Sequence, residues 1–201
     1  MRKVVRAAPE CAEVMPSPAH VLRRASCPKE AGSEMEARVE RMMELLGKLA
    51  RPGWAALDLD VEGREECALR TEALVLKSCM IADRLASSEM VTLILGTLGP
   101  DPERKCSELD AEGEHLDSML LDAAASAMVE EVMRTAHTQS ARRMEGMEGT
   151  ARYAPGYGDF LLDHQVEILK ALGDNEVQVS RDTYMLNPRK SSTAVVGWRH
   201  G

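Results

Sequence analysis

The feature that most constrains the fold is a continuous apolar run at residues 90–96 (MVTLILG). Its length suits a single strand, and a run without polar alternation is typical of a strand that is covered on both faces. Residues 57–61 (LDLDV) instead alternate apolar and acidic side chains. This alternation predicts a half-buried strand, with Asp58 and Asp60 together on its solvent face.

Helical segments are predicted on either side of these strands. The capping-box pair Ser33 and Glu36 precedes an apolar stripe with helical spacing. Asp101 is expected to cap a helix that follows the second strand, and Asp163 and Gly173 to begin and close a short helix near the end of the chain. The predicted helices cover residues 33–49, 70–88, a segment from residue 102, 114–135 and 164–172.

The last third of the chain is rich in strands. Residues 145–151 have the composition of a loop, and strands are predicted over residues 177–179, 183–186 and 193–197. Because strands and helices are interleaved but the last links are short, we expect an α+β fold with a mixed sheet. A length of 201 residues suits one domain, assigned to residues 19–201. Mixed charge and prolines indicate a loosely ordered N-terminal arm at residues 1–18.

Composition excludes several classes of function. The hydrophobic fraction is 44% and the charged fraction 29%, which is typical of a globular protein. The net charge of −8 would repel nucleic acid phosphates, so no nucleic acid partner is expected. No apolar stretch approaches the roughly 20 residues that cross a bilayer, so no membrane association is expected and we predict a cytoplasmic protein.

The cysteines are odd in number, widely separated and without a C-x-x-C pair or a histidine at zinc-ligand spacing. We therefore predict free thiols with structural roles and no metal site. The five positions are Cys11, Cys27, Cys67, Cys79 and Cys106.

Residues 152–159 (RYAPGYGD) are the most distinctive segment for chemistry. An arginine can hold a carboxylate in a bidentate fork, and a tyrosine ring can accept a cation or stack on a purine. Glycines such as Gly156 let a ligand lie against the main chain. A zwitterionic sulfonium ligand with an adenosyl group would use all three features. A structural turn pinned by an arginine–carboxylate pair is the alternative.

Residues 152–157 resemble the R-x-x-x-G-Y signature of the activation domain of cobalamin-dependent methionine synthase. The resemblance extends to residues 185–197 (MLNPRKSSTAVVG), which are similar to the M-x-x-P-x-K-S-x-S ending of that family. Residues 120–125 with Glu130 resemble its long helix, and residues 95–99 (LGTLG) the strand-end turn of its short stand-alone members. The resemblance to this family implies a mixed, largely antiparallel twisted sheet flanked by helices.

The resemblance also implies a ligand and its contacts. The family's module binds S-adenosylmethionine and presents it to a corrinoid that oxidation has inactivated, while a flavodoxin-type donor supplies an electron. By this resemblance Arg152 contacts the ligand carboxylate, and the main chain at Ala154 reads the adenine. Tyr157 lies against the ligand beside Gly156, and Glu130 helps to hold it.

The chain lacks the D-x-H-x-x-G segment that binds a corrinoid, so it is not expected to be a complete methionine synthase. The resemblance instead implies an accessory module of that methyltransferase system, acting in trans on a methionine synthase or another corrinoid protein. Cobalamin would then be supplied only by the partner, and no catalytic residue is assigned.

The sequence is also compatible with two other functions. The first is a non-catalytic docking partner or chaperone of a corrinoid protein that has lost S-adenosylmethionine binding. The second is a self-contained methyltransferase, for which residues 96–99 (GTLG) match the expected glycine-rich turn poorly. His115, His137 and His164 are predicted to be surface or capping groups. Residues 190–192 (KSS) are expected to form a turn beside the ligand cleft.

Overall fold

The computed structural model describes residues 3–27 and 32–201, which fold as a sheet with helices on both faces. The predicted α+β class is confirmed. The strands are β1 (Val5–Ala7), β2 (Gly53–Glu65), β3 (Ala68–Thr71), β4 (Val75–Lys77), β5 (Met90–Thr97), β6 (Met147–Gly149), β7 (Gln178–Val179), β8 (Leu186–Asn187) and β9 (Ser191–His200). The helices are α1 (Pro18–Arg24), α2 (Ser33–Leu49), α3 (Cys79–Arg84), α4 (Asp101–Ala111), α5 (His115–Arg143) and α6 (His164–Leu172).

The main sheet has the strand order β4-β3-β2-β5-β9-β6, and β1 also pairs with β2. Every pairing of the described strands is antiparallel. The strand β5 lies at the centre, paired along its whole length with β2 and β9. The strands β7 and β8 form a separate two-stranded ribbon. Within the described residues, no helix combines the length and apolar character needed to span a membrane.

Alternation along the central strands divides the core into two layers. Trp54, Ile94 and Val196 point to the face covered by α1, α2, α4 and α5. Their sequence neighbours Ala55 and Val195 point to the opposite face, covered by α3 and α6. Because β5 is buried on both faces, its apolar run needs no polar alternation, and the prediction for residues 90–96 is confirmed.

The long helix α5 packs close against the sheet. A Cβ atom added at Gly96 would lie 2.8 Å from Met133 Sδ and 3.2 Å from Val132 Cγ1. Ala124 and Ala125, in the small-residue segment of α5, are fully buried. Small side chains on both elements therefore allow the close approach. The helix extends to Arg143, beyond the predicted end at residue 135.

Three predicted segments are wrong. The strand predicted over residues 183–186 is mostly turn and irregular backbone, and only its last residue, Leu186, belongs to a strand, β8. Residues 70–88 do not form one helix, because the strands β3 and β4 form a hairpin and only α3 is helical. The Ser78 side chain, which accepts a hydrogen bond from Ile81 N, begins that helix. Residues 145–151 are not only a loop, because β6 pairs with β9 at the edge of the sheet. A Cβ atom at Gly149 would lie 2.5 Å from the Trp198 ring, so glycine here permits a close approach.

The helix starts differ in detail from the predictions. Ser33 and Asp101 are the first helical residues rather than caps, and neither α2 nor α4 has a side-chain cap. The helix α6 has the predicted bounds, and Gly173 closes it with φ +59°. The side chain of Asp163 does not cap it. Residues 3–18, part of the predicted arm, supply β1 to the sheet and buried Val14 to the core.

The prediction of a solvated strand face is wrong for Asp58. This side chain lies on the layer covered by α5 and accepts hydrogen bonds from Arg143 Nε at 2.9 Å and Thr92 Oγ1 at 2.6 Å. Asp60, two residues further along the same face, is exposed. The difference arises because α5 extends far enough for its last turn to cover Asp58.

The prediction of free thiols is wrong for two of the five cysteines. Cys67, in the turn between β2 and β3, forms a disulfide with Cys79, the first residue of α3. The hairpin returns the chain to the start of α3 and so brings the two thiols together. Cys11, Cys27 and Cys106 are free. Burial raises the pKa of the Cys106 thiol to about 11, so it stays protonated.

Candidate functional site

A cavity of about 700 Å³ lies between α5, the loop that follows β6, α3 and the start of β9. Its volume is within the range of small-molecule sites. Its wall includes Arg24, Met80, Arg84, Ser126, Val129, Glu130, Met133, Arg152, Tyr153, Ala154, Tyr157, Arg189, Lys190, Ser191, Ser192 and Ala194. The lining thus carries five cationic side chains and one carboxylate, although the whole protein is acidic.

Four of the five residues expected at a ligand line this cavity: Glu130, Arg152, Ala154 and Tyr157. Gly156 does not line it. Its backbone N–H donates to the Phe160 carbonyl at 2.6 Å, and its φ is +101°. Gly156 therefore shapes the turn that carries Tyr157, a conformation that side-chain-bearing residues rarely adopt.

Arg152 reaches the cavity from the loop after β6. Its Nη1 atom lies 3.3 Å from His137 Nδ1 on α5. Desolvation lowers the pKa of Arg152, while the nearby charge of Glu130 acts in the opposite direction. An arginine keeps its charge despite such a shift. The cavity therefore contains a permanent positive charge with donor N–H groups.

Glu130 projects from α5 on the side that also carries Ser126 and Met133, as the helical repeat requires. Its carboxylate forms an ion pair with Arg24 of α1 at 2.5 Å and lies 3.7 Å from His20 Nε2. The side chain is about half exposed. Glu130 thus joins α1 to α5 at the rim of the cavity.

Tyr157 presents an open ring at the rim. The residue is 70% exposed, which is unusual for a large aromatic side chain. Tyr153, in the same loop, is instead half-buried, and its backbone pairs with Val195 of β9. One tyrosine therefore anchors the loop to the sheet, while the other leaves a ring face available.

Lys190 is the buried cation of the cavity wall, with only 8% of the residue exposed. Its Nζ atom lies 2.7 Å from Asp122 Oδ1 and donates to Ser126 Oγ, also at 2.7 Å. Residues 190–192 line the cavity, but the predicted turn is wrong for residues 191 and 192, which begin the strand β9. Arg24 and Arg84 also line the cavity, and no sequence motif singled them out, because α1 and α3 bring them there only through tertiary packing.

The loop that carries Tyr157 is attached to α3 through Asp159. The carboxylate of Asp159 accepts hydrogen bonds from Ser78 Oγ at 2.6 Å, Cys79 N at 2.6 Å and Met80 N at 3.2 Å. The hydrogen bond from Ser78 is the chief cause of a lowered pKa at Asp159. The disulfide of Cys79 connects this attachment to the hairpin.

Acid should release this attachment, and the variant Asp159→Asn tests it. A carboxylate whose folded-state pKa is depressed stabilises the fold above its ordinary value of 3.8. That contribution disappears as the pH falls below this value through the lowered pKa. We expect the wild type to exceed Asp159→Asn in unfolding free energy at pH 6, with the difference shrinking at pH 3. Urea unfolding at both pH values measures it, and a constant difference would contradict the assignment.

No protein-family model and no curated protein sequence matches the chain. A solved structure that is similar in fold is described as the crystal structure of the MetH reactivation domain bound to AdoHcy. Its TM-score is 0.75, and the alignment covers 98% of this chain and 78% of that one at 12% identity. At this identity the similarity establishes a shared fold.

Proposed function

We propose that this protein binds S-adenosylmethionine in the cavity beside Arg152 and acts in trans as an activation module for a corrinoid protein. The corrinoid partner is inferred to be a cobalamin-dependent methionine synthase. Two findings support the proposal: the fold is shared with the MetH reactivation domain, and that domain was solved with AdoHcy, the demethylated form of the proposed ligand.

The observation that carries the proposal is a convergence of two distant segments. Glu130 lies on α5, whereas Arg152, Ala154 and Tyr157 lie in a loop beyond the end of that helix. The sequence resemblance alone implies that these residues contact one ligand. All four line the same cavity.

Individual groups of the wall suit separate parts of the proposed ligand. The Arg152 guanidinium is proposed to hold the carboxylate in a fork, and the main chain at Ala154 to contact the adenine. The open ring of Tyr157 offers a π face to a sulfonium or a purine. The Glu130 carboxylate, which pairs with Arg24 through one oxygen, is proposed to meet the ligand ammonium with the other. S-adenosylmethionine itself supplies the methyl group, and these side chains bind and orient it.

The proposed role is therefore presentation of a methyl donor rather than chemistry by this chain's own side chains. Positioning two reactants removes much of the entropic cost of their encounter. In this proposal the partner holds the cobalamin, and a flavodoxin-type donor provides the electron. The protein would then be one component of a methyltransferase system.

Calorimetric titration of S-adenosylmethionine and S-adenosylhomocysteine tests the proposal. We expect both ligands to bind the wild type. The variant Arg152→Ala loses a charge-assisted hydrogen bond of about 1.5–3 kcal/mol, so its affinity should fall roughly 10- to 100-fold. Arg41→Ala, which removes an exposed arginine on α2 away from the cavity, is the matched control and should bind like the wild type.

Failure of the folded wild type to bind either ligand would contradict the proposal. Retained affinity for a corrinoid protein would then favour the docking-partner function. Equal losses of affinity in Arg152→Ala and Arg41→Ala would still identify S-adenosylmethionine as a ligand, but would show that Arg152 does not contact it.

A further inference from the structure

We propose that His137 is a positioning residue that directs the Arg152 guanidinium into the cavity. The inference rests on the proposed function and extends it to a residue outside the recognised motif. The Arg152 Nη1 atom lies 3.3 Å from His137 Nδ1. A guanidinium has donors but no acceptor, so this contact is a hydrogen bond only while Nδ1 is unprotonated.

The surroundings of His137 keep the imidazole neutral. Burial is the larger cause of its lowered pKa, and the positive charge of Arg152 is the other. On α5, Arg134 adds a positive charge near Arg152, while Glu130 and Glu131 oppose it. The β9 side chain in contact with the ring is Trp198, which carries no charge. The neutral tautomer with a proton on Nε2 therefore accepts from Arg152.

A chain of ordered side chains holds the imidazole ring in place. His137 and Trp198 form an edge contact with ring centroids 5.7 Å apart and an interplanar angle of 69°. Trp198 Nε1 donates to Thr92 Oγ1 at 2.8 Å, and Thr92 Oγ1 donates to Asp58. Arg143 completes this chain through its ion pair with Asp58. His137 is thus half-buried against the sheet rather than fully exposed, which refines its predicted role as a surface or capping group.

This support determines where the Arg152 side chain points. An arginine on a loop has several rotatable bonds and loses entropy when it is ordered at a ligand. By donating a hydrogen bond to a fixed ring, the guanidinium is ordered before the ligand arrives. His137 thereby lowers the entropic cost of forming the carboxylate fork.

The experiment is a double-mutant cycle with two ligands. His137→Phe keeps the aromatic contact with Trp198 but removes the acceptor, and it is combined with Arg152→Ala. S-adenosylmethionine carries the carboxylate, whereas 5′-methylthioadenosine lacks it. We expect His137→Phe to weaken S-adenosylmethionine roughly three- to tenfold, the worth of one hydrogen bond, without changing methylthioadenosine. In the Arg152→Ala background it should have no further effect.

The pH profile provides a second readout. Affinity of the wild type for S-adenosylmethionine should fall as the pH drops below 6.5, the ordinary pKa of histidine, because protonated His137 loses its acceptor and repels Arg152. His137→Phe should lose this dependence. His20→Gln, which changes the histidine beside Glu130, should keep it.

The outcomes distinguish the positioning role of His137 from the proposed binding of S-adenosylmethionine. Equal losses for both ligands, additive effects in the cycle or an unchanged pH profile in His137→Phe would overturn the positioning role alone. A wild type that binds neither ligand would overturn the proposed function and, with it, this inference.

Discussion

Replacing Trp198 with alanine should lower the free energy of unfolding by about 3–5 kcal/mol, the range for large aromatic side chains in a core. The residue is 1% exposed and is one of the largest buried side chains among the described residues. It contacts His137 on α5 and lies against the backbone of Gly149 in β6. Its Nε1 also donates to buried Thr92, so truncation leaves a cavity and removes a hydrogen bond. Urea unfolding at neutral pH measures the change.

Two variants separate these contributions. Trp198→Phe keeps most of the apolar volume but cannot donate to Thr92, so it should cost less than the alanine variant. Met185→Ala truncates a side chain that is 49% exposed and should change stability by less than about 0.5 kcal/mol. A loss below about 1 kcal/mol for Trp198→Ala would show that this part of the core is loosely packed.

Gly197→Ala should destabilise the fold by about 2–3 kcal/mol, although it adds only one methyl group. The new Cβ atom would lie 2.2 Å from Ser88 Oγ, 2.7 Å from Leu85 Cδ2 and 3.0 Å from Ser88 Cβ. Both neighbours are buried, so neither can move into solvent. Because β9 pairs with β5 along its length, the backbone of Gly197 cannot retreat without breaking the sheet. Chemical unfolding of the variant tests this expectation.

Gly63→Ala is the matched control, since Gly63 also lies in a long strand of the same sheet. Its nearest neighbour to a new Cβ is Arg70 Cβ at 3.9 Å, an ordinary contact. The control should leave stability unchanged or raise it by up to about 1 kcal/mol, because alanine restricts the unfolded chain more than glycine does. Equal effects at the two positions would mean that Ser88 and Leu85 adjust freely.

The parts of the fold that could be predicted are those with a local signal. The apolar run of β5 predicts a buried strand, and the apolar stripe of α2 predicts a helix, without reference to any other segment. The helix predicted over residues 70–88 is wrong because Leu74, Ile81 and Leu85 are all buried, yet Leu74 lies in the turn of the β3–β4 hairpin and the other two lie in or at the end of α3. The spacing of these apolar residues is compatible with one helix, and only the pairing of β3 with β4 distinguishes the alternatives.

The strand β6 was missed for a different reason. Glycines at positions 146 and 149 give the segment the composition of a loop. Gly149 is instead required by the ring of Trp198, which lies far along the chain. A glycine that makes room for a distant side chain cannot be distinguished from a loop glycine by local composition.

The residues of the candidate site also fall into those with a local sequence signal and those without one. The R-x-x-x-G-Y motif predicted Arg152 and Tyr157, which line one cavity because a short loop keeps them close together, whereas its Gly156 shapes the turn. Lys190 lines the cavity and pairs with Asp122, whereas His137 lies behind the cavity wall, between Arg152 and Trp198. These partners are distant in sequence. A lone histidine in a helix has no pattern that would indicate this contact. Its position depends on α5 continuing past residue 135, where the predicted helix ended.

The outline of the sheet has a consequence for behaviour at high concentration. The outer strands β1, β4 and β6 each contain three residues, whereas the long strands β2, β5 and β9 lie inside. Beyond β6, the backbone of Tyr153 continues to cover β9 by bonding to Val195. A long unpaired edge is what allows a second molecule to add its own strand and begin an aggregate. In the described part of the chain the exposed edges are short, so the fold resists self-association by strand addition while keeping an extended sheet at its centre.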